Sequence, residues 1–325
     1  MGSDPVIPPL NLPFPSRLNP HTGDLARHLD QWATEWAALP PSALPAWRAA
    51  RFERLVGRMY PTARPPLLGL TGEAVLWLFL YDDHLDPGCP GDDTHYAEQA
   101  LLQVRRILDG RCATPPDDPL TACVWWLRHR LLPLIGTDRW AYVSRELDGF
   151  ADAMRNEVAI RSQGRTPEPE EYLAARHRTS GWHILTAFAE LHAGATFPDS
   201  LRSSTTHRAL VATAGDVACT INDLLSLRKE AAAGERHNLV LAIGHRDKCD
   251  LPAAVGITHR WLRTRVDDYL RARADLLSQF GGFTDPGALA RYASGIEALM
   301  TGSLSWSHET GRYGHADNTV PAEGA

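Results

Sequence analysis

The chain has 325 residues, 44% of them hydrophobic, and a formal net charge of −6. That is ample material for a large core, and the negative balance argues against a nucleic-acid binder. The longest apolar runs, around residues 76–80 and 131–135, fall far short of the ~20 residues needed to span a bilayer, and no signal peptide opens the chain. A soluble, cytoplasmic protein is expected, with Cys89, Cys112, Cys123, Cys219 and Cys249 as free thiols, an odd number without CxxC spacing.

Residues 1–18 are proline-rich and read as an extended segment. From His21 the pattern turns helical, with Leu25, Leu29, Trp32, Trp36 and Leu39 at three- and four-residue intervals. The next helix carries an abrupt change of character, because the run Leu76-Trp77-Leu78-Phe79-Leu80-Tyr81 ends in Asp82-Asp83-His84-Leu85-Asp86. Thr71 is placed to cap it, Glu73 suits its first turn and Pro87-Gly88 stops it, so the acids fall at its C-terminal end. The helix dipole is already negative there, so three carboxylates cost stability unless a cation compensates them. On helical spacing Asp82 and Asp83 both neighbour Asp86. Hard divalent ions take such oxygens, and magnesium in particular is held by one or two carboxylates, waters and a substrate phosphate. A solvated acidic helix end is the bland alternative for this motif alone.

A loop follows over residues 88–93, in which Asp92 and Asp93 read as a solvated turn or helix cap with no third acid after them. Helices resume near Tyr96, and residues 111–119 form another loop. Aromatic-rich helices start at Trp125 and span 140–160, their aromatics mostly core. After a break at 164–169, a helix from Glu170 is interrupted by Thr179-Ser180-Gly181, which frees backbone carbonyls that need partners.

A second polar constellation lies 140 positions after the first (222 − 82), in a helix ending near Gly234. At about 100° per residue, Asn222, Ser226, Lys229 and Glu230 fall at roughly 0°, 40°, −20° and 80°. They share a face on which an amide oxygen, a hydroxyl and a carboxylate make a hard-oxygen cation site. Lys229 beside them can meet phosphate as a point charge, whereas Arg228 points elsewhere as a solvated charge. A helix start follows at Asn238-Leu239-Val240, then an amphipathic helix over 262–280 with a solvated charged face, a last helix over 285–309 and a polar tail from Ala316. No strand-type alternation and no repeat occur, so the architecture is expected to be all-α, with several helices around a central cavity.

In Asp82–Asp86 (DDxxD), Asn222–Glu230 (NDxxSxxxE), the late pair Arg312-Tyr313 and the opening Asn19-Pro20-His21, the chain resembles the bacterial class I terpene synthases (terpene cyclases). The resemblance spans about residues 10–315 and implies a single class I terpene synthase α-domain over 19–315, with a frayed tail over 316–325. It implies a carbon–oxygen lyase that ionises a linear isoprenyl diphosphate and cyclises the carbocation. The metal would be Mg2+, as three ions, held by Asp82, Asp83, Asp86, Asn222, Ser226 and Glu230. Arg176, 46 positions before Asn222, would sense the diphosphate, with Arg178 in reserve. Lys229, Arg312 and Tyr313 would also grip it. Thr179 and Ser180 match the linker and effector positions, where a backbone carbonyl at the helix break faces the ionising carbon, although the family often has glycine at the second. Phe79 and Trp306 match aromatic positions whose faces stabilise cations, a contact worth about 2 kcal/mol when desolvated. Leu78 stands where many relatives carry a second aromatic.

The resemblance favours farnesyl diphosphate and a sesquiterpene product, with geranylgeranyl diphosphate and a diterpene as the alternative. It implies no nucleic-acid or membrane partner; homodimers occur in the family. A prenyl chain-elongating enzyme would show a second DDxxD in place of Asn222, Ser226 and Glu230. A non-catalytic helical interaction protein would have no reason to combine a metal-type face with Arg312-Tyr313.

Overall fold

The structure is a computed structural model that describes residues 6–37, 39–86, 89, 93–162, 166–281 and 285–311. Among the described residues every regular element is a helix. In chain order these are α1 (Thr22–Glu35), α2 (Leu44–Ala49), α3 (Phe52–Met59), α4 (Leu67–Leu85), α5 (Thr94–Leu108), α6 (Pro119–Ile135), α7 (Thr137–Arg161) and α8 (Pro169–Thr179). They continue as α9 (Trp182–His192), α10 (Asp199–Arg202), α11 (Thr205–Ala233), α12 (Leu239–Asp247), α13 (Leu251–Phe280) and α14 (Pro286–Ser307).

Many helix starts follow from local chemistry. The side chains of Asp93, Asp118, Ser204, Asn238, Asp250 and Asp285 each accept a backbone N–H in the first turn of the helix that follows. Such caps satisfy donors that the helix itself cannot. Asp93 is therefore a cap, as expected, while Asp92 lies outside the described residues.

The structure moves several expected boundaries. Helix α4 begins at Leu67, so Thr71 does not cap it; its Oγ1 bonds Leu67 O at 2.8 Å and His192 Nε2 at 2.9 Å inside the bundle. Glu73 is likewise internal, a buried carboxylate held by His28 at 2.8 Å and by Arg130 from α6. Helix α5 begins two residues before Tyr96, at Thr94, and α6 begins at Pro119, six before Trp125. Helix α13 begins at Leu251 instead of near residue 262; its first turns bury Ala254, Val255 and Thr258 and lack the charged face of the later turns.

Helix α4 is apolar all round and is accordingly buried, with Trp77 packed against Tyr81 and Phe150. Helix α11 packs between α13 and α14. It has the length and apolarity of a membrane span, yet 67% of its most apolar window is buried inside the protein, as in a core helix.

Segments near both ends of the described residues are tied to α3 or the turns beside it. Asn19 is buried and donates from Nδ2 to the carbonyls of Tyr60 and Ala63 at 2.7 and 2.8 Å, so Asn19-Pro20-His21 anchors the entry to α1. The residues before it, from 6 to 18, have neither helix nor strand, and Phe14 meets Tyr269 edge-on. At the other end Glu309 pairs with Arg54 and Arg58, while Trp306 Nε1 and Thr310 Oγ1 both donate to the carbonyl of Ala50. Arg312, Tyr313 and the tail over 316–325 lie outside the described residues.

Helix α14 approaches α3 through Gly302, where an added Cβ would lie 2.7 Å from backbone atoms of Arg58 and Met59. Backbone cannot rotate aside as a side chain can. Gly302→Ala is therefore expected to lower unfolding free energy by about 1–3 kcal/mol, the usual cost of overpacking. Urea denaturation checks this, and an unchanged midpoint would contradict the close approach.

Candidate active site

The C-terminal end of α4 and the middle of α11 face each other across a cavity of 130 Å³. Leu78 and Phe79 of α4, Phe150 of α7, Leu185 of α9 and Leu299 of α14 give it apolar walls. Asp82, Arg176, Ser180 and Asn222 supply its polar lining. A larger cavity of 290 Å³ between α7 and α8 shares Arg176 and Thr179, with Asp148, Asp152, Glu157 and Arg178 as well as Ile160 and Tyr172 among its lining.

Asp82 is half-buried in the cavity wall, largely withdrawn from water. That desolvation pushes its carboxyl up to about 8, with Asp86, Glu157 and Asp83 adding to the rise and Arg176 opposing it. Asp86 is the C-cap of α4 with extended backbone (φ −63°, ψ 153°), so it leaves the helix that the spacing argument placed it on. It remains coupled to the cluster. Burial and Asp83 raise its pKa, against Arg161 at 3.9 Å and Lys229 on the facing helix. Pro87 and Gly88, the expected stop, lie outside the described residues. Arg161 also donates to the carbonyl of Leu85, so one α7 cation serves both the helix end and its acids.

On α11, Asn222, Ser226 and Glu230 fall at i, i+4 and i+8 along one stripe. Ser226 Oγ donates to the Asn222 carbonyl at 2.8 Å, and Glu230 Oε2 accepts from Asn238 Nδ2 at 2.8 Å. Burial, and next the charge of Asp223, raise the pKa of Glu230. Lys229 and Arg228 are both exposed. The proximity of Lys229 to Asp86 is what gives it a place at the site.

Arg176 reaches from α8 to this stripe, donating from Nη2 to Asn222 Oδ1 at 2.9 Å and to Asp223 Oδ1 at 3.3 Å. Arg178 faces α7 instead, its Nη1 lying against Gly149, which favours Arg176 over the reserve candidate. Asp223 is a residue whose role motif spacing missed. It is buried on the flank of α11 and accepts from Tyr172 Oη at 2.7 Å and Leu239 N at 2.9 Å as well as from Arg176. Its place next to Asn222, about 100° round the helix, could have suggested a part in holding the stripe.

The helix break lies where the sequence placed it. Helix α8 ends at Thr179, Ser180 is its C-cap, and Gly181 has φ 68° before α9 starts. The positive φ at Gly181 calls for glycine, and a Cβ there would also push on Leu78 Cδ1, 2.5 Å away, which can give way. Ser180 Oγ bonds the His177 carbonyl at 3.3 Å and receives Cys219 Sγ at 3.4 Å, which ties the break to α11.

Phe79 lines the cavity, whereas Trp306 does not: it is 1% exposed and stands behind Phe79, with ring centroids 5.9 Å apart. Its indole N–H donates to the Ala50 carbonyl at 2.7 Å. Arg312 and Tyr313 are outside the described residues, so the structure does not place them.

Among the described residues no three His, Cys, Asp or Glu side chains already converge as a metal cage. The donor set nevertheless fits a hard cation. Crowded carboxylates on one helix face an amide, a hydroxyl and a carboxylate on another, and magnesium completes its shell with waters and phosphate oxygens.

A family model described as terpene synthase family 2, C-terminal metal binding, matches residues 73–268. The chain is similar to pristinol synthase of Streptomyces pristinaespiralis, 29% identical over 320 residues, covering 94% of this chain and 84% of the relative. It is also similar to (+)-T-muurolol synthase ((2E,6E)-farnesyl diphosphate cyclizing) of Roseiflexus castenholzii, 28% identical over 302 residues and covering 93% and 92%. Among solved structures, germacradien-4-ol synthase from Streptomyces citricolor superposes with a TM-score of 0.79 at 23% identity, covering 93% of this chain and 98% of that one. At that identity the likeness establishes the fold alone.

Removing Asp223 would leave Arg176, Tyr172 and the Leu239 N–H without their shared acceptor in a buried site. Asp223→Ala is expected to cost about 3–5 kcal/mol of stability, as when one partner of a buried ion pair is lost. Urea unfolding measures this; a midpoint equal to wild type would show that the network carries no net stability.

Proposed function

The chain belongs to terpene synthase family 2 and is a class I terpene synthase, and from that premise we propose that it is a magnesium-dependent cyclase of farnesyl diphosphate, giving a sesquiterpene. The observation that carries this reading is one cavity with Asp82 and Asn222 on opposing helices, Arg176 between them and apolar walls beneath. An isoprenyl diphosphate has an anionic head and a greasy tail, and the cavity offers complementary surfaces for each. The C15 substrate is supported over the C20 alternative by the relatives, one of which carries farnesyl diphosphate in its name.

Asp82, with Asp83 and Asp86, would hold one part of a three-ion Mg2+ cluster, and Asn222, Ser226 and Glu230 the other. When bound, these ions would neutralise the charge that builds on the departing diphosphate. Arg176 and Lys229, with Arg312 and Tyr313, would bind the diphosphate through charge-assisted hydrogen bonds. Arg176 would exchange its contacts with Asn222 and Asp223 for the leaving group, which stabilises the ionised state more than the ground state. At Thr179 and Ser180 the helix break would present a backbone carbonyl to the reacting end of the substrate. Phe79, braced by Phe52 and Trp306, would turn an aromatic face to the carbocation, and the apolar walls would exclude water. Five free cysteines suit a reducing, cytoplasmic setting.

Incubation of the purified protein with Mg2+ and, separately, C10, C15 and C20 diphosphates, followed by gas chromatography and mass spectrometry, tests the reading. A cyclic C15 hydrocarbon or alcohol from farnesyl diphosphate is expected. Linear alcohols alone, or turnover of the C20 substrate only, would contradict it. Asp82→Ala and Asn222→Ala should each lower turnover by at least about 10²-fold while the circular dichroism spectrum is kept. Full activity in either variant would remove that residue from the mechanism.

A further inference from the structure

Asn238 is fully buried and satisfies every polar group of its amide at the junction between α11 and α12. Its Oδ1 caps α12 by accepting Val240 N at 2.8 Å. Its Nδ2 donates to the backbone carbonyl of Asp223 at 2.8 Å and to Glu230 Oε2 at 2.8 Å. The next residue, Leu239, donates its N–H to the Asp223 carboxylate at 2.9 Å. The first turn of α12 is therefore bolted to α11 at both ends of the stretch from Asp223 to Glu230.

Glu230 sits near the end of α11, four residues before the Gly234 cap, and is hydrogen-bonded by Ser226 of its own helix and by Asn238 from outside it, which restrict a three-torsion side chain. We propose that Asn238 is a positioning residue, which presents the Glu230 carboxylate to a divalent cation by holding one of its oxygens. Groups that orient a ligand carboxylate set metal affinity without touching the metal. The inference rests on the proposed magnesium–diphosphate reading of the site. The same amide joins that stripe to Asp223, and Asp223 holds Arg176. One side chain thus ties the metal face to the cationic grip on the diphosphate.

Asn238→Ser separates capping from positioning, because serine is as good a helix cap as asparagine but lacks the amide donor. Asn238→Asp keeps the shape and the cap acceptor and sets a carboxylate against Glu230. The readout is calorimetric binding of inorganic diphosphate at a series of Mg2+ concentrations, with a thermal melt for each protein. The Mg2+ concentration for half-maximal diphosphate binding is expected to rise at least about tenfold in Asn238→Ser and further in Asn238→Asp. Both variants should fold, and added Mg2+ should recover binding in Asn238→Ser.

A folded variant of either kind with the wild-type Mg2+ requirement would overturn the proposal. So would failure of both to fold, since Asn238 would then be a structural residue. Loss of diphosphate binding that no Mg2+ concentration recovers in Asn238→Ser would also overturn it. Wild-type protein that binds no diphosphate at any Mg2+ concentration would instead remove the functional reading on which the inference stands.

Discussion

Carboxylates gathered at the negative end of a buried helix are the constraint on which the rest of this protein depends. At the negative end of the α4 dipole, desolvation, with the charges of Asp86, Glu157 and Asp83 adding to it, holds Asp82 far above the usual carboxylate range, and burial and Asp83 raise Asp86 as well. The fold answers with cations from three directions: Arg161 from α7, Arg176 from α8 and Lys229 from α11. Among the described residues none of them closes a short ion pair with Asp82, and Arg176 is occupied by Asn222 and Asp223. A site held in this state gains most from a ligand that brings positive charge and its own anion together.

The second constraint is rigidity on the facing side. Asn222, Ser226 and Glu230 would be ordinary polar residues on a long helix if α11 were free to shift. Asp223 and Asn238 prevent this by joining α11 to α8 through Tyr172 and Arg176 and to α12 through Leu239. Burial keeps the Tyr172 hydroxyl protonated, so it remains a donor to Asp223. Around this polar frame the aromatic wall is layered, with Phe79 at the cavity and Phe52 and Trp306 behind it.

Much of this arrangement was legible in the sequence because it rests on local rules. Acid spacing at the end of an apolar run, an i, i+4, i+8 stripe of oxygens, and Thr179-Ser180-Gly181 within a helix are all short-range signals. The resemblance added Arg176, which no spacing rule alone would have selected from its neighbours. What stayed hidden depends on contacts between distant segments. The part Asp223 plays depends on Tyr172, 51 residues earlier, which donates to it. The hydrogen bond from the Trp306 indole to the Ala50 carbonyl, 256 residues away, is likewise beyond any local rule. Thr71 looks like a cap because a cap signal does not say whether the chain has already become helical before it. Asp86 left the helix because a C-cap with extended backbone ends the 3.6-residue register that the sequence argument assumed.

Two motifs whose first residues lie 140 positions apart (222 − 82) would hold one ligand between them. A double-mutant cycle on binding tests this most directly: calorimetric titration of inorganic diphosphate in Mg2+ for wild type, Asp82→Asn, Asn222→Ala and the double variant. The account predicts strong coupling, with the double variant little weaker than either single variant and no binding in the absence of Mg2+. Independent, additive losses, or diphosphate binding that needs no divalent ion, would contradict it.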